Sequence, residues 1–280
     1  MLFNQRPRRF SPPGGKFDRG RFSSAFPRAE SVPPWSPQTG VRGLLFLADW
    51  ISPKYQNVAL TTPASADADP VYKWGTVAGQ AADSTRPLLT SSGPSPGKSA
   101  LRLDGANARN LSVSGGFMAG STLTMACVYK SSTPPADSQL CGRGGASGNG
   151  FRFYINSSGS LVSEVATAGG VSSVPLPSAT GGTWKVAAMT YTSATSTARA
   201  LVRGGTARSN ADMGATPSGA LSYAGGDTAF AVGASTTDGT ISYFYGAKDV
   251  ALVLVTSTAY DSVALLTSLV NNIASYAGIL

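Results

Sequence analysis

The sequence predicts an all-β protein in which two antiparallel sheets form a sandwich, with one C-terminal helix and an extended N-terminal arm. Short segments alternate apolar and polar residues with the period of two that strands show, and clusters of Gly, Ser, Thr and Pro separate them. Only one segment has the periodicity of a helix. Charge is distributed unequally, which predicts two regions: an anchoring arm at residues 1–42 and a sandwich domain at residues 43–280.

The arm combines cations with aromatic residues. It carries eight Lys or Arg and two acids, a net charge of +6 out of the chain's +8, and three of the cations stand directly before a Phe. Such a segment has too little aliphatic surface to fold alone, but each Phe can fill an apolar pocket while the neighbouring cation meets an acidic group. We therefore expect the arm to become ordered on a partner. The predicted docking residues are Phe3, Arg9, Phe10, Lys16, Phe17, Arg21, Phe22 and Phe26.

The arm does not have the features of a targeting sequence. A signal peptide needs a continuous apolar stretch, and a transit peptide needs a sustained helix, which the Pro and Gly residues of the arm prevent. A plain disordered linker stays open as the alternative for a tail of this composition. Nucleic acid is the disfavoured partner, because eight cations spread over 42 residues are sparse and the body adds only +2.

The body is long enough for one large β-domain with a full core. Charged residues make up only 13% of the chain, and no stretch approaches the roughly 20 apolar residues that a membrane span needs, so we expect no membrane partner. The predicted strands are Gly43–Trp50, Ala100–Leu103, Ala108–Val113, Ser121–Lys130, Phe151–Asn156, Leu161–Ala166, Trp184–Thr192, Ala198–Arg203, Thr228–Ala234, Ile241–Tyr245 and Lys248–Val255.

The predicted helix spans Tyr260–Tyr276. Its apolar residues recur every three or four positions, which predicts a stripe that packs on the edge of the sandwich. Gly278 follows at the place where a C-terminal cap commonly uses Gly. The stripe consists of Val263, Leu266, Leu269, Val270 and Ile273.

Several segments carry specific motifs. They are GLLFLADW (Gly43–Trp50), ALRLDGANARNLSV (Ala100–Val113), STLTMACVYKSS (Ser121–Ser132) and GTWKVAAMTYTS (Gly182–Ser193). In this order they resemble successive strands of the laminin-G-like branch of the concanavalin-A-like lectin/glucanase superfamily, and Tyr243–Ile279 resembles its closing strand and helix. The resemblance covers residues 43–280 and implies a jelly-roll sandwich. It does not imply one function, since the superfamily contains lectins, hydrolases and structural modules.

Catalytic residues are sparse. The chain has no His, which removes the usual general base and the Ser–His triad. Hydrolases of the resembled superfamily use clustered carboxylates, but the only two Glu here are Glu30 and the isolated Glu164, which we expect to be a solvated strand residue. The Gly-rich run Cys141–Gly150 lacks the ending of a phosphate loop and predicts a turn between strands. We therefore expect no enzyme and no cofactor.

Signals for metal and disulfide sites are weak. Two cysteines and no His argue against zinc. A hairpin would let Cys127 and Cys141 pair, whereas two free thiols are favoured in a chain without a secretion signal. The resemblance implies a calcium site near a rim, but no spacing specifies one, and Asx turns are the favoured alternative. The oxygen donors considered for calcium are Asp104, Asn107, Asp227 and Asp238.

Exposed aromatic residues are the natural platform for a sugar ring, because a ring face stacks on the apolar face of a hexose. Trp50 and Trp184 lie in apolar strand contexts, which favours a place in the core. For Trp74, in the loop-like region Ile51–Ser99, core and platform are equally favoured. The predicted platform residues are Tyr72, Trp74, Tyr243 and Tyr245.

A weakly charged, lectin-like body with a basic N-terminal arm resembles the architecture of phage virion proteins. The resemblance implies a non-enzymatic structural accessory protein, either a capsid decoration or a fibre or spike component, made in the host cytoplasm. It would dock through its arm on a major capsid or tail protein, as a homo-oligomer or symmetric array. The alternative is a carbohydrate-binding adhesin or receptor-binding module whose sandwich face binds a host glycan, and the two hypotheses are compatible.

Overall fold

The computed structural model describes residues 34–279 except for the gaps 76, 80–84, 105–108, 115–119, 133–136, 145–149, 177–179, 205–206, 213–217, 223–228, 238–239 and 243–246. Only the backbone is described at residues 77–79, 114, 207–212, 235–237 and 240–242. The predicted docking residues of the arm lie outside this part of the chain. The chain divides into two units, Met1–Pro34 and Trp35–Leu280. Residues 35–42, which the charge pattern assigns to the arm, therefore belong to the compact unit.

The compact unit consists mainly of strands. The two helices are α1 (Pro37–Gly40) and α2 (Val263–Ala277). The strands are β1 (Leu44–Ala48), β2 (Lys54–Tyr55), β3 (Lys73–Trp74), β4 (Val77–Gly79), β5 (Leu88–Thr90), β6 (Ala100–Leu103), β7 (Leu111–Ser114), β8 (Thr122–Ser131), β9 (Ser138–Arg143), β10 (Phe151–Ile155), β11 (Leu161–Thr167), β12 (Gly170–Leu176), β13 (Lys185–Thr192), β14 (Thr197–Gly204), β15 (Ala207–Asp212), β16 (Ala229–Val232), β17 (Ser235–Thr237), β18 (Thr240–Ser242) and β19 (Lys248–Thr256).

Two large antiparallel sheets form a β-sandwich. One has eight strands in the order β15-β14-β13-β8-β19-β6-β5, with β1 also paired to β19. The other has nine strands in the order β12-β11-β10-β9-β16-β7-β4-β3-β2, and β17 and β18 pair separately. Side chains from both large sheets share one apolar core, which includes Trp74, Tyr129, Phe151, Phe153 and Phe230. The prediction of an antiparallel β-protein with a C-terminal helix is confirmed, and jelly-roll topology stays a prediction.

Helix α2 covers part of the outer face of the eight-stranded sheet. The Oγ of Ser262 accepts a hydrogen bond from the backbone N–H of Leu265 at 3.1 Å, and Gly278 ends the helix in the left-handed conformation with φ of 73°. The predicted stripe is confirmed for Leu266, Leu269, Val270 and Ile273, which are buried against the outer side chains of the sheet. Val263 is exposed instead, because it is the first residue of the helix and lies beyond this contact.

Strands that are very short or have an irregular sequence of polar and apolar residues are not predicted. The region Ile51–Ser99, interpreted as loop-like, contains β2 to β5, but strands of two or three residues are too short to show alternation. Strand β9 reads Ser-Gln-Leu-Cys-Gly-Arg, which neither alternates in polarity nor forms a continuous apolar run. Strand β12 contains Pro175, which an edge strand tolerates because one side of it lacks a partner.

Candidate functional site

An open cleft of about 360 Å³ lies at one end of the eight-stranded sheet, where β6 and β8 end and β19 begins. Its volume is within the range of small-ligand sites. Its lining is mostly polar and charged, and consists of Arg102, Lys130, Ser131, Ser132, Gly182, Ala247, Lys248 and Asp249.

Strand register places a row of charges along the cleft. Asp249 on β19 lies directly opposite Arg102 on β6 and opposite Lys130 on β8. One oxygen of Asp249 is 3.1 Å from the Nε of Arg102, and the other is 3.1 Å from the Nζ of Lys130. The Nζ of Lys130 also lies 5.2 Å from the centre of the Trp184 ring, within the range of a cation–π interaction. The row therefore joins two cations, a shared carboxylate and an indole.

The period of a strand explains why this row faces the cleft. Ala126, Val128 and Lys130 point to the same side of β8, since alternate residues share a face. Ala126 and Val128 lie in the apolar cluster that α2 covers. Lys130 comes two residues later, and its side chain is 26% exposed. The row thus occupies the part of the outer face that the helix leaves uncovered.

Lys248 forms part of the cleft wall but extends into the protein. Its Nζ donates a hydrogen bond of 2.9 Å to the Oγ of Ser138 on the opposite sheet, and both residues are buried. Burial lowers the pKa of Lys248 from 10.5 to about 7, and the nearby Cys141 only partly offsets this effect. The amine of Lys248 therefore changes its charge near neutral pH.

The carboxylate in the row is fully engaged by its neighbours. Both oxygens of Asp249 are engaged by cations, so this carboxylate is not free to act as a general base. Within the described part of the chain, no group of three or more Cys, Asp or Glu residues is placed to hold a metal ion. The cleft offers instead several hydrogen-bond donors beside an aromatic ring.

A second polar cluster lies on the outer face of the nine-stranded sheet and corrects the interpretation of Glu164. Arg152 and Glu164 lie opposite each other on β10 and β11, and two hydrogen bonds of 2.9 and 3.0 Å join them. Both side chains are less than 10% exposed, and the guanidinium lies 4.5 Å from the ring centre of Tyr154. Glu164 is therefore a buried ion-pair partner rather than a solvated residue.

We expect the substitution Glu164→Gln to lower the free energy of unfolding by about 2 kcal/mol, because it leaves the buried charge of Arg152 without its counter-charge. Urea denaturation measures this change. The exchange Asp261→Asn, at an exposed position, is the matched control and should stay within about 0.5 kcal/mol of the parent. Equal stabilities of the two variants would contradict a structural role for the pair.

The structure does not assemble the predicted aromatic platform. Trp74 is fully buried in the core, and its Nε1 donates a hydrogen bond of 2.7 Å to the backbone oxygen of Asp49, so its ring cannot meet a sugar at the surface. Tyr72 is half-buried, with the Arg86 guanidinium 5.4 Å from its ring centre. Tyr243 and Tyr245 lie outside the described residues.

The two cysteines form no disulfide, and most of the oxygens considered for calcium lie outside the described residues. Cys127 and Cys141 are buried free thiols, as favoured, and burial followed by the Cys141 contact raises the pKa of Cys127. Of the oxygens considered for calcium, only Asp104 is described, whereas Asn107, Asp227 and Asp238 are not. None of the helices in the described segments has the length and apolar character needed to span a membrane.

Sequence reasoning missed the residues of the cleft, although it placed their strands. Trp184 is partly buried beside Lys130 rather than fully in the core. The sequence pattern that could have identified these residues is a charged residue near one end of each of three predicted strands. These residues are Arg102, Lys130 and Asp249. Only the strand order brings these three together.

Comparisons with known proteins give partial similarity to solved structures. No protein-family model and no curated protein matches the chain. A leech intramolecular trans-sialidase aligns with 52% of this chain and 23% of its own, at 17% identity and a TM-score of 0.38. The Ruminococcus gnavus IT-sialidase CBM40, bound to α2,3-sialyllactose, aligns over 54% and 82%, at 17% identity and a TM-score of 0.41. A Trypanosoma rangeli sialidase aligns over 86% and 36%, at 12% identity and a TM-score of 0.48.

The similar structures are a trans-sialidase, a sialidase and a CBM40 of a sialidase. This chain spans about a quarter of the leech enzyme and about a third of the trypanosome enzyme.

Proposed function

We propose that the sandwich domain is a non-catalytic carbohydrate-binding module that holds a saccharide in the cleft of the eight-stranded sheet. The observation that carries this proposal is the row of Arg102, Asp249 and Lys130 in the wall of an open cleft of about 360 Å³, with the Trp184 ring next to Lys130 just outside the lining. A sugar needs polar groups for its hydroxyls and an apolar surface for its C–H face. This row supplies both within one site.

Each member of the row has a distinct part in the proposed binding. Arg102 and Lys130 retain N–H groups that can donate to sugar oxygens, and Asp249 holds the two cations in place. The ring of Trp184 provides the apolar surface at the edge of the cleft. Because strands carry Arg102, Lys130 and Asp249, and Trp184 directly precedes β13, the site is held on rigid elements, which keeps the entropic cost of binding low.

We propose that the module is non-catalytic because of the side chains that are available for acid–base catalysis. The chain has no His, and Glu164 is tied to Arg152 outside the cleft. Asp249 is the one carboxylate that lines the cleft, so the described lining lacks the second carboxyl group that glycoside hydrolysis usually requires.

We expect Trp184→Ala to lower affinity for a bound saccharide about tenfold, because the variant loses the apolar surface that would meet the sugar ring. A glycan array with the full chain, including sialyllactose and neutral oligosaccharides, identifies the ligand, and calorimetry measures the affinity. Tyr72→Ala is the control, since it removes an aromatic residue of the predicted platform outside the cleft. Loss of binding in Tyr72→Ala with none in Trp184→Ala would place the sugar elsewhere, and no binding at all would refute the proposal.

The role of the arm is a separate proposal that rests on the sequence. Its alternating cations and Phe residues fit a segment that docks on another protein, such as a virion component. A capsid or tail partner, symmetric assembly and a virion location stay predictions. A docked arm and a saccharide-binding body are compatible functions.

A further inference from the structure

We propose that the saccharide held in the cleft carries a carboxylate group, and that the free edge of the Arg102 guanidinium binds this group together with Lys130. This inference rests on the proposed function and adds the chemical class of the ligand. It follows from the balance of hydrogen-bond donors and acceptors in the cleft.

Arg102 has unused donors that face solvent. Its Nε is the atom that contacts Asp249, at 3.1 Å, and the side chain is 50% exposed. A guanidinium has five N–H groups, and its two terminal nitrogens form a planar fork that matches both oxygens of a carboxylate. Contact through Nε fixes the orientation of the group and leaves part of this fork available. Arg102 is therefore arranged to take a second, bidentate partner.

Lys130 adds donors on the other side of Asp249. Its Nζ contacts one oxygen of Asp249 at 3.1 Å, and an ammonium has three N–H groups. Asp249 can supply little more as an acceptor, because each oxygen already meets a cation and the side chain is 7% exposed. The Oγ of Ser131 donates within the chain, to the backbone oxygen of Ser132 at 2.7 Å. The row consequently has more free donors than free acceptors, and it suits a ligand rich in acceptors.

The other charged groups near the row do not change this excess of free donors over free acceptors. Asp67 faces Arg102 from outside the cleft, and the pKa of its carboxyl is lowered mainly by the N–H of Ser91 and to a smaller extent by Arg102. Because Asp67 is fully exposed, solvent weakens its effect on the guanidinium. Lys248 lines the cleft, but its ammonium is directed into the protein at the Oγ of Ser138, so it takes no part in this balance.

Two pairs of ligands that differ in a carboxylate test the inference on the full chain. Methyl glucuronide and methyl glucoside differ in one group on the same ring, whereas sialyllactose and lactose place the carboxylate on a different sugar. We expect the acidic member of at least one pair to bind about tenfold more tightly at low salt. A preference within the glucuronide pair indicates that the ligand is a uronic acid, and a preference within the sialyllactose pair indicates that it is a sialic acid. We expect Arg102→Gln to reduce the preference to less than about twofold, because the variant weakens binding of the acidic member more than binding of the neutral one.

If Arg102→Gln folds poorly, Lys130→Met provides a second test. We expect Lys130→Met to reduce the preference for the acidic sugar in part. Lys73→Met, on the other sheet, is the control and should retain the full preference. Equal affinity for the acidic and neutral members of both pairs, or a preference that survives Arg102→Gln, overturns the inference but not the proposed function. Binding of no saccharide refutes the proposed function and the inference together.

Discussion

Replacing Asp49 by Ala should lower the free energy of unfolding by about 4 kcal/mol, the largest loss that we expect from a single substitution in this chain. Asp49 is fully buried, and both of its carboxylate oxygens accept hydrogen bonds. One oxygen accepts from the N–H of Ile51, at 3.2 Å, and from the N–H and Oγ of Ser52, at 2.9 and 2.8 Å. The other accepts from Tyr276, at 3.0 Å, and from Gln38, at 3.3 Å.

These bonds join three parts of the sandwich domain. Ile51 and Ser52 form the turn after β1, Gln38 belongs to α1, and Tyr276 is in the last turn of α2. Alanine removes five hydrogen bonds at once and leaves the partly buried Ser52 and Tyr276 without their partner, which costs more than the loss of one exposed cap. The pKa of Tyr276 is raised by burial and by Asp49, so the phenol stays protonated and donates to the carboxylate over the physiological pH range.

The matched control is Asp69→Ala. Asp69 also caps a turn, with 2.8 Å hydrogen bonds from the N–H groups of Ser65 and Ala66, but this turn lies at the surface. Water can replace these bonds, so we expect a loss of about 1 kcal/mol or less. Denaturation midpoints of the two variants give the comparison. If Asp49→Ala unfolds at the same urea concentration as Asp69→Ala, Asp49 does not hold α1, the turn and α2 together.

The double variant Lys248→Met, Ser138→Ala should be more stable than the parent by about 3 kcal/mol near pH 6. Lys248 is fully buried, and its ammonium donates to Ser138 in an otherwise apolar region. Methionine has a similar length and removes the cost of burying a charge. Changing Ser138 as well avoids leaving a buried hydroxyl without its donor.

The dependence of this gain on pH follows from the shifted pKa. Lys248 titrates at about 7 in the folded chain, against 10.5 without the burial effect. Between these two values the unfolded chain binds a proton that the folded chain does not. The stability of the parent should therefore rise as the pH increases from about 7 towards 10. Without Lys248 this rise disappears, so the advantage of the double variant should be largest below pH 7 and small near pH 10.

Unfolding curves measured from pH 6 to pH 10 test this prediction, with Lys73→Met at a half-buried position as the control for replacing an ammonium group. A parent stability that does not change over this range, or a double variant that is less stable at pH 6, would show that Lys248 is well solvated in the folded chain.

Much of the fold could be predicted from the sequence where a strand is long and its flanks are clear. Strands β8 and β13 have ten and eight residues, and clusters of Ser, Thr and Gly flank them. Helix α2 has a regular apolar stripe and a glycine cap. Strand β9 gave no such signal, because its six residues combine Ser, Gln and Arg with Leu, Cys and Gly and so lack both a period of two and a continuous apolar run.

The candidate site could not be predicted, because it depends on strand order. Arg102 and Asp249 are 147 positions apart and meet only because β19 pairs with β6. The prediction for Glu164 is wrong for the same reason, since its partner Arg152 is on the neighbouring strand and nothing near Glu164 in the chain is charged. Pattern analysis identifies strands but does not determine which strands are neighbours.

The central position of β19 has a consequence for how the protein forms in the cell. This strand lies between β8 and β6 and also pairs with β1, although it spans residues 248–256 of 280. A ribosome therefore releases most of the eight-stranded sheet before the strand that completes it is synthesised. Until then, the edges of β6 and β8 are without a partner and are open to other chains. The eight-stranded sheet can therefore close only after β19 has been synthesised, and its long-range pairings slow folding, so synthesis interrupted before β19 would yield an aggregation-prone fragment rather than a smaller folded domain.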